Sequence, residues 1–179
     1  MTSHRFGSIA ALSVLFLFVG TFAMAQDTGL LRTRVSPAVA GVFVDGKYYG
    51  TVSQFQSASK ALVVPVGEHK VDVIDPRYEP ISQTVNIQSG EAVVIRQDMT
   101  PKALPSPPFG KLKIKNGNRA AVYLNNTYYG QADEFNGVGQ ALLLKPGEYH
   151  LRVVPVTGGS PLEQQVTVVA KQTTTIRMQ

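Results

Sequence analysis

The chain repeats itself. Val44-Asp45-Gly46-Lys47-Tyr48-Tyr49-Gly50 recurs eighty positions on as Leu124-Asn125-Asn126-Thr127-Tyr128-Tyr129-Gly130. The same offset pairs Phe55 with Phe135, Ala61-Leu62 with Ala141-Leu142, and Gly67-Glu68 with Gly147-Glu148. With one residue more, Pro80 matches Pro161, Val85 matches Val166 and Ile95-Arg96 matches Ile176-Arg177; at the other end Gly29-x-Leu31 matches Gly110-x-Leu112. Self-similarity at a fixed offset means one structural unit used more than once. The copies run over residues 29–101 and 109–179. Between them, residues 102–108 carry Pro105, Pro107 and Pro108, which cannot donate to a continuous ladder and favour an extended, semi-rigid spacer.

Each copy reads as β structure. Leu112 and Ile114 face one way while Lys111, Lys113 and Lys115 face the other, the period of two that marks a half-buried strand. Val71 and Val73, Val85 and Ile87, and Val93 and Ile95 repeat the pattern in the first copy, as do Leu151 and Val153 and Thr174, Ile176 and Met178 in the second. Asp45-Gly46 and Asn125-Asn126 suit the positive φ of two-residue hairpins, and Pro146-Gly147 marks another turn. The expectation is an all-β chain: two tandem small antiparallel β-sandwiches of five or more strands each, following an N-terminal signal peptide. Val71, Val73 and Ile95, with their counterparts Leu151, Val153 and Ile176, are expected inside, and Phe55 and Phe135 are expected to plug the open ends of the cores.

Residues 1–25 read as an address. Arg5 precedes an uncharged apolar run over 6–22, and Ala23-Met24-Ala25 offers small residues at both positions that signal peptidases read. Cleavage before Gln26 is expected over the rival reading, an uncleaved anchor near the ~17–25 residues that span a bilayer. The mature chain would be extracytoplasmic, periplasmic or at the cell surface. The absence of Cys excludes disulfides, a thiolate metal site, a Cys nucleophile, an iron–sulfur cluster and a Cys-linked lipid.

Few residues carry candidate chemistry. His69 falls on the inward phase of its strand, in register with Tyr149, and His150 on the outward phase, in register with Lys70. Such a pair, without Cys or a matching carboxylate in both copies, is a poor metal site, so no metal and no cofactor is expected. Glu68 and Glu148 occupy one repeat position, and a turn bond or an ion pair explains them better than acid catalysis. Duplication is expected to hold equivalent groups far apart rather than converge them. No nucleophile elbow, phosphate loop or His-Glu-x-x-His is present, and no catalytic residue is assigned.

Binding candidates are clearer. Tyr48, Tyr49, Tyr128 and Tyr129 leave the two hairpins, and alternation turns one of each pair inward and one outward. An exposed ring with a polar tip makes a good sugar or protein contact; the rival role is covering the sandwich edge. The second copy also holds the charge excess, with eight Lys and Arg against four Asp and Glu over 109–179 and seven against seven over 29–101. Lys111, Lys113 and Lys115, with Arg119 nearby, form a basic stripe that could touch an anionic cell-wall or membrane surface, or simply blunt an edge strand. Nucleic acid is disfavoured by the export signal.

The run Val42-Phe43-Val44-Asp45-Gly46-Lys47-Tyr48-Tyr49-Gly50, followed by an apolar strand and Pro65-Val66-Gly67-Glu68-His69-Lys70-Val71, resembles the PEGA domain. Lys145-Pro146-Gly147-Glu148-Tyr149-His150-Leu151 stands in the same place in the second copy, where Asn125-Asn126 replaces the Asp-Gly of the hairpin. The resemblance implies a tandem pair of small extracytoplasmic β domains with no catalytic motif to transfer. The function expected is a non-enzymatic binding or structural module of the cell envelope, contacting protein or polysaccharide through strand edges and loops. The alternative is a carbohydrate-binding module that uses the hairpin tyrosines.

Overall fold

The computed structural model describes residues 27–103 and 106–178. The expected signal peptide, and Leu104 and Pro105 of the spacer, lie outside them. The first unit contains seven strands: β1 (Thr28–Ser36), β2 (Gly41–Val44), β3 (Lys47–Thr51), β4 (Leu62–Pro65), β5 (Gly67–Ile74), β6 (Ile81–Ile87) and β7 (Ala92–Asp98). The second repeats them as β8 (Gly110–Lys115), β9 (Ala121–Leu124), β10 (Thr127–Gln131), β11 (Leu142–Leu144), β12 (Gly147–Val154), β13 (Leu162–Val168) and β14 (Thr173–Arg177). The chain is all-β.

Each unit is a sandwich of a three-stranded and a four-stranded sheet. The orders are β4-β1-β7 over β3-β2-β5-β6, and β11-β8-β14 over β10-β9-β12-β13. Antiparallel pairing dominates, as the hairpin signals predict. The first and last strands of each unit differ: β1 with β7, and β8 with β14, pair in parallel. The last strand of each unit thus returns beside the first in the three-stranded sheet, which no local turn signal encodes.

The period of two sets the two cores. Leu31, Val42, Val44, Val71, Val73, Ile87 and Ile95 meet in the first, and Leu112, Ile114, Val122, Leu124, Leu151, Val153 and Val168 in the second. Ile176 is half-buried against the second core. Phe55 packs on the first core and Phe135 lies inside the second. Full burial of such a side chain is worth about 1.5–3 kcal/mol, so each unit has its own cohesive centre.

The hairpins explain where their tyrosines go. Asp45 and Gly46, and Asn125 and Asn126, all have positive φ, the geometry of a two-residue turn that follows the strand twist. The register then slips: Tyr48 pairs with Phe43 and Gly50 with Val42, leaving Tyr49 as the extra residue of a bulge. Tyr129 is the extra residue in the second unit. Gly50 and Gly130 follow at φ +151° and +136°, and a Cβ at Gly130 would lie 2.9 Å from the Phe135 ring. Tyr49 and Tyr129 thereby pack on their own cores, while Tyr48 and Tyr128 leave the opposite face.

That opposite face is where the units dock. Phe43, Tyr48, Ala121 and Tyr128 form a third buried cluster, with Ile74 and Tyr123 beside it. The Tyr48 and Tyr128 ring centroids are 5.3 Å apart, and Phe43 meets the edge of Tyr128 at 5.2 Å. The Tyr128 hydroxyl lies 3.4 Å from that of Tyr48. Gly41 lies directly beneath the Tyr128 ring, where a Cβ would come within 2.6 Å of Cζ. Residues eighty apart therefore touch, as equivalent groups do across a two-fold axis. The expectation that duplication keeps equivalent groups apart is corrected: strand alternation aims both tyrosines out of the same sheet face, and the apolar faces cover each other.

Candidate binding surfaces

Docking disposes of two of the four tyrosine candidates as ligand contacts. Tyr48 and Tyr128 are 9% and 4% exposed, enclosed between the units. Burial pushes both phenols well above their ordinary value, because an ionised oxygen there would lose its water. Tyr49 and Tyr129 are half-buried. The Lys47 ammonium lies 5.1 Å over the Tyr49 ring, a cation–π contact that occupies one face. Tyr123 holds Arg152 in the same way at 4.4 Å. No pair of tyrosines is presented as an open, coplanar platform among the described residues.

Tyr49 nevertheless borders a groove between the units, of about 890 Å³. Phe55 and Lys60 line it from the first unit, Arg119 and Asp133 from the second. Arg119 has a positive φ, and its backbone N–H donates to the Asp133 carboxylate at 2.9 Å. Its carbonyl accepts from the Gln131 side chain at 3.3 Å, so the loop is held at both ends of one residue. Next to Asp133, burial raises the Glu134 carboxyl above the usual range, although it accepts the Gln131 N–H at 2.9 Å.

Arg119 does not extend the lysine stripe. It borders the groove, whereas Lys111, Lys113 and Lys115 stand on the outer face of the three-stranded sheet. Edge blunting is also overturned as an explanation of the stripe, because β8 is the middle strand of its sheet. Sequence alternation located the face correctly but could not say which strand would lie at the edge. The true edges include β4 and β11. There Val63 and Leu143, eighty residues apart, stand 57% and 52% exposed at equivalent positions. The lysine face continues onto β14, where Arg177 lies opposite Lys115.

The histidines divide as one covered and one surface residue. Both His69 ring nitrogens are engaged, Nδ1 with Asp45 Oδ2 at 2.7 Å and Nε2 with the Pro65 carbonyl at 2.9 Å. Tyr149 makes the equivalent bond, its hydroxyl donating to the Lys145 carbonyl at 2.9 Å. His150 is more open and reaches Glu163 at 4.0 Å. The repeated glutamates do not serve the turn: Glu68 and Glu148 stand exposed, and Asp45 and Asn125 instead accept the backbone N–H of Lys70 and His150. Among the described residues no group of three His, Asp or Glu is placed to hold a metal ion.

The Asp45–His69 contact gives the first unit a pH dependence that the second lacks. The contact raises the His69 pKa and lowers that of Asp45. A raised imidazolium stabilises fully below the ordinary ~6.5 and loses that contribution as pH rises through the folded value; a lowered carboxylate loses its contribution as pH falls below its ordinary ~3.9. The contact is therefore strongest between these limits and fades toward alkaline pH. His69→Tyr, which copies Tyr149, should flatten the first unit's melting temperature between pH 6 and pH 8. An unchanged slope in that variant would remove His69 as its source.

Comparison with known proteins adds a family and a distant resemblance. Residues 28–103 match the family described as PEGA domain. Among curated proteins, none matches the chain. Among solved structures, the chain resembles the Bacillus anthracis TIE protein at 13% identity and a TM-score of 0.29, over 86% of this chain. The match spans 33% of that longer chain.

Proposed function

With residues 28–103 belonging to the PEGA domain family, we propose that the second unit is a PEGA domain as well and that the pair is an exported, non-enzymatic module of the cell envelope. It binds a partner protein through the open edges of its three-stranded sheets. One observation carries this reading. Both units leave the short, apolar strands β4 and β11 at a sheet edge, each with a large apolar side chain turned to solvent. An open edge offers unpaired backbone donors and acceptors to an added strand, and alternate side chains give that strand specificity. The docked tyrosines support a structural part: they hold two binding edges in one rigid arrangement.

The test is co-sedimentation with isolated cell-envelope fragments at 1 M salt, where screening to ~3 Å removes charge-driven contacts, before and after protease treatment of the fragments. Wild type should bind untreated fragments and lose that binding after protease. Val63→Lys with Leu143→Lys should weaken it while circular dichroism stays unchanged. Undiminished binding by the double variant would overturn the edge reading. The polysaccharide alternative finds one support, the groove where Tyr49 meets Arg119 and Asp133. Binding that survives protease and is lost in Tyr49→Ala would favour it.

A further inference from the structure

Both units place two cations side by side where nothing in the fold requires them. In the first, Arg34 of β1 lies in register with Arg96 of β7. In the second, Lys115 of β8 lies in register with Arg177 of β14. The two pairs are equivalent positions of the repeat, 81 residues apart. Neighbouring strands are about 4.8 Å apart, and like charges directly opposite each other destabilise a sheet. None of the four forms a salt bridge among the described residues, where the ion pairs involve His69, Lys70, Arg77, Lys102 and His150. Arg32 in the first unit, and Lys111 and Lys113 in the second, share the same outer faces. Asp98, opposite Ser36, is the acid of β7 on that face, while β8 and β14 contribute no acid to theirs.

The faces also point away from each other. Each three-stranded sheet covers the inner side of its own four-stranded sheet, and the units dock through the outer sides of the four-stranded sheets. The two cation-bearing faces therefore lie at opposite ends of the molecule. We infer that each face holds an anionic linear polysaccharide, gripped at the Arg34–Arg96 pair and at the Lys115–Arg177 pair, and that one molecule bridges two such strands. A chain-like polyanion fits because the cations follow the strand direction: Lys111, Lys113 and Lys115 repeat every two residues, about 6.6–7 Å. This deepens the envelope reading above by naming a second partner, but it uses the sheet faces and not the edges.

The probe is polygalacturonate, with neutral dextran and phosphatidylglycerol vesicles as comparisons, and the readouts are binding and light scattering. Wild type should bind polygalacturonate and raise its scattering at low salt, with both effects lost near 1 M salt, where the Debye length falls to ~3 Å. Arg34→Gln/Arg96→Gln and Lys115→Gln/Arg177→Gln should each still bind but no longer raise scattering, and the fourfold variant should do neither. None of the four side chains belongs to a core, so these substitutions leave the cores intact, which circular dichroism checks. Scattering by either double variant equal to wild type would overturn bridging. Binding to vesicles or dextran without polygalacturonate would overturn the choice of ligand. Leu143 lies in register with Lys111, and Val63 with Leu30, on these same outer faces. Val63→Lys with Leu143→Lys should therefore keep or strengthen polymer bridging at low salt, and failure of the edge reading and failure of this one are seen separately.

Discussion

Leu151→Asp should unfold the second unit and leave the first folded. Leu151 has no exposed surface and lies in a core that shares no residue with that of the first unit. Truncating such a side chain costs about 2–5 kcal/mol, and an unpaired buried carboxylate adds several more. A domain of this size has roughly 4–11 kcal/mol in total, at ~0.05–0.15 kcal/mol per residue. The loss therefore reaches the whole stability of the unit. Hydrogen exchange should show the amides of β8–β14 unprotected while those of β1–β7 stay protected, with Phe43 and Tyr48 newly solvated. Simultaneous loss of protection in both units would mean that they fold as one cooperative body and that the two cores are not independent.

Gly41→Leu should separate the units without unfolding either. No side chain fits between β2 and the Tyr128 ring, because even a Cβ would meet two ring carbons and the hydroxyl oxygen of Tyr128 within 2.8 Å. The ring must leave, and with it go the contacts of Tyr128 with Phe43 and Tyr48. Two aromatic pairs are worth about 1–3 kcal/mol beyond area burial, so docking should weaken by at least roughly 5- to 150-fold at 1.4 kcal/mol per tenfold. Phenol titration reads this directly. In wild type the pKa values of Tyr48 and Tyr128 are raised. Docking is fully supported below the ordinary ~10 and fades as pH rises through the folded values. In the variant both phenols should fall back toward the ordinary ~10 of a solvated phenol. A titration curve unchanged from wild type would show that the rings stay buried despite the substitution.

How much of this could be read from the sequence follows from the range of each interaction. Hairpins, core faces and the doubled unit rest on contacts within a few residues, and Asp45-Gly46, Val71/Val73 and the eighty-residue offset state them openly. The parallel closure of β1 with β7 has no local signature, since it depends on how the whole unit returns to its start. The same blindness placed Lys111, Lys113 and Lys115 on a possible edge strand, when the strand after residue 172 covers that side. Tyr48 and Tyr128 were visible as outward rings, but an outward ring serves a ligand or a neighbour equally well. A signal was present in Phe43 and Tyr123, one repeat apart, whose rings face out beside core valines at 42, 44 and 122 and make that whole sheet face aromatic. Gly41 and Ala121, eighty residues apart, complete it, since small residues at one position of both units permit close approach. The His69–Asp45 bond was not legible, because the two residues are distant in sequence and meet only through the β2–β5 pairing.

The central claim is that the two repeats form one body through repeat-related tyrosines. The most direct measurement is the nuclear Overhauser effect between the Tyr48 and Tyr128 ring protons in the full chain, taken with backbone relaxation of both units. The account predicts a ring-to-ring cross-peak, consistent with centroids 5.3 Å apart, and one common tumbling time for the two units. No cross-peak, with each unit tumbling on its own as a small domain, would contradict it.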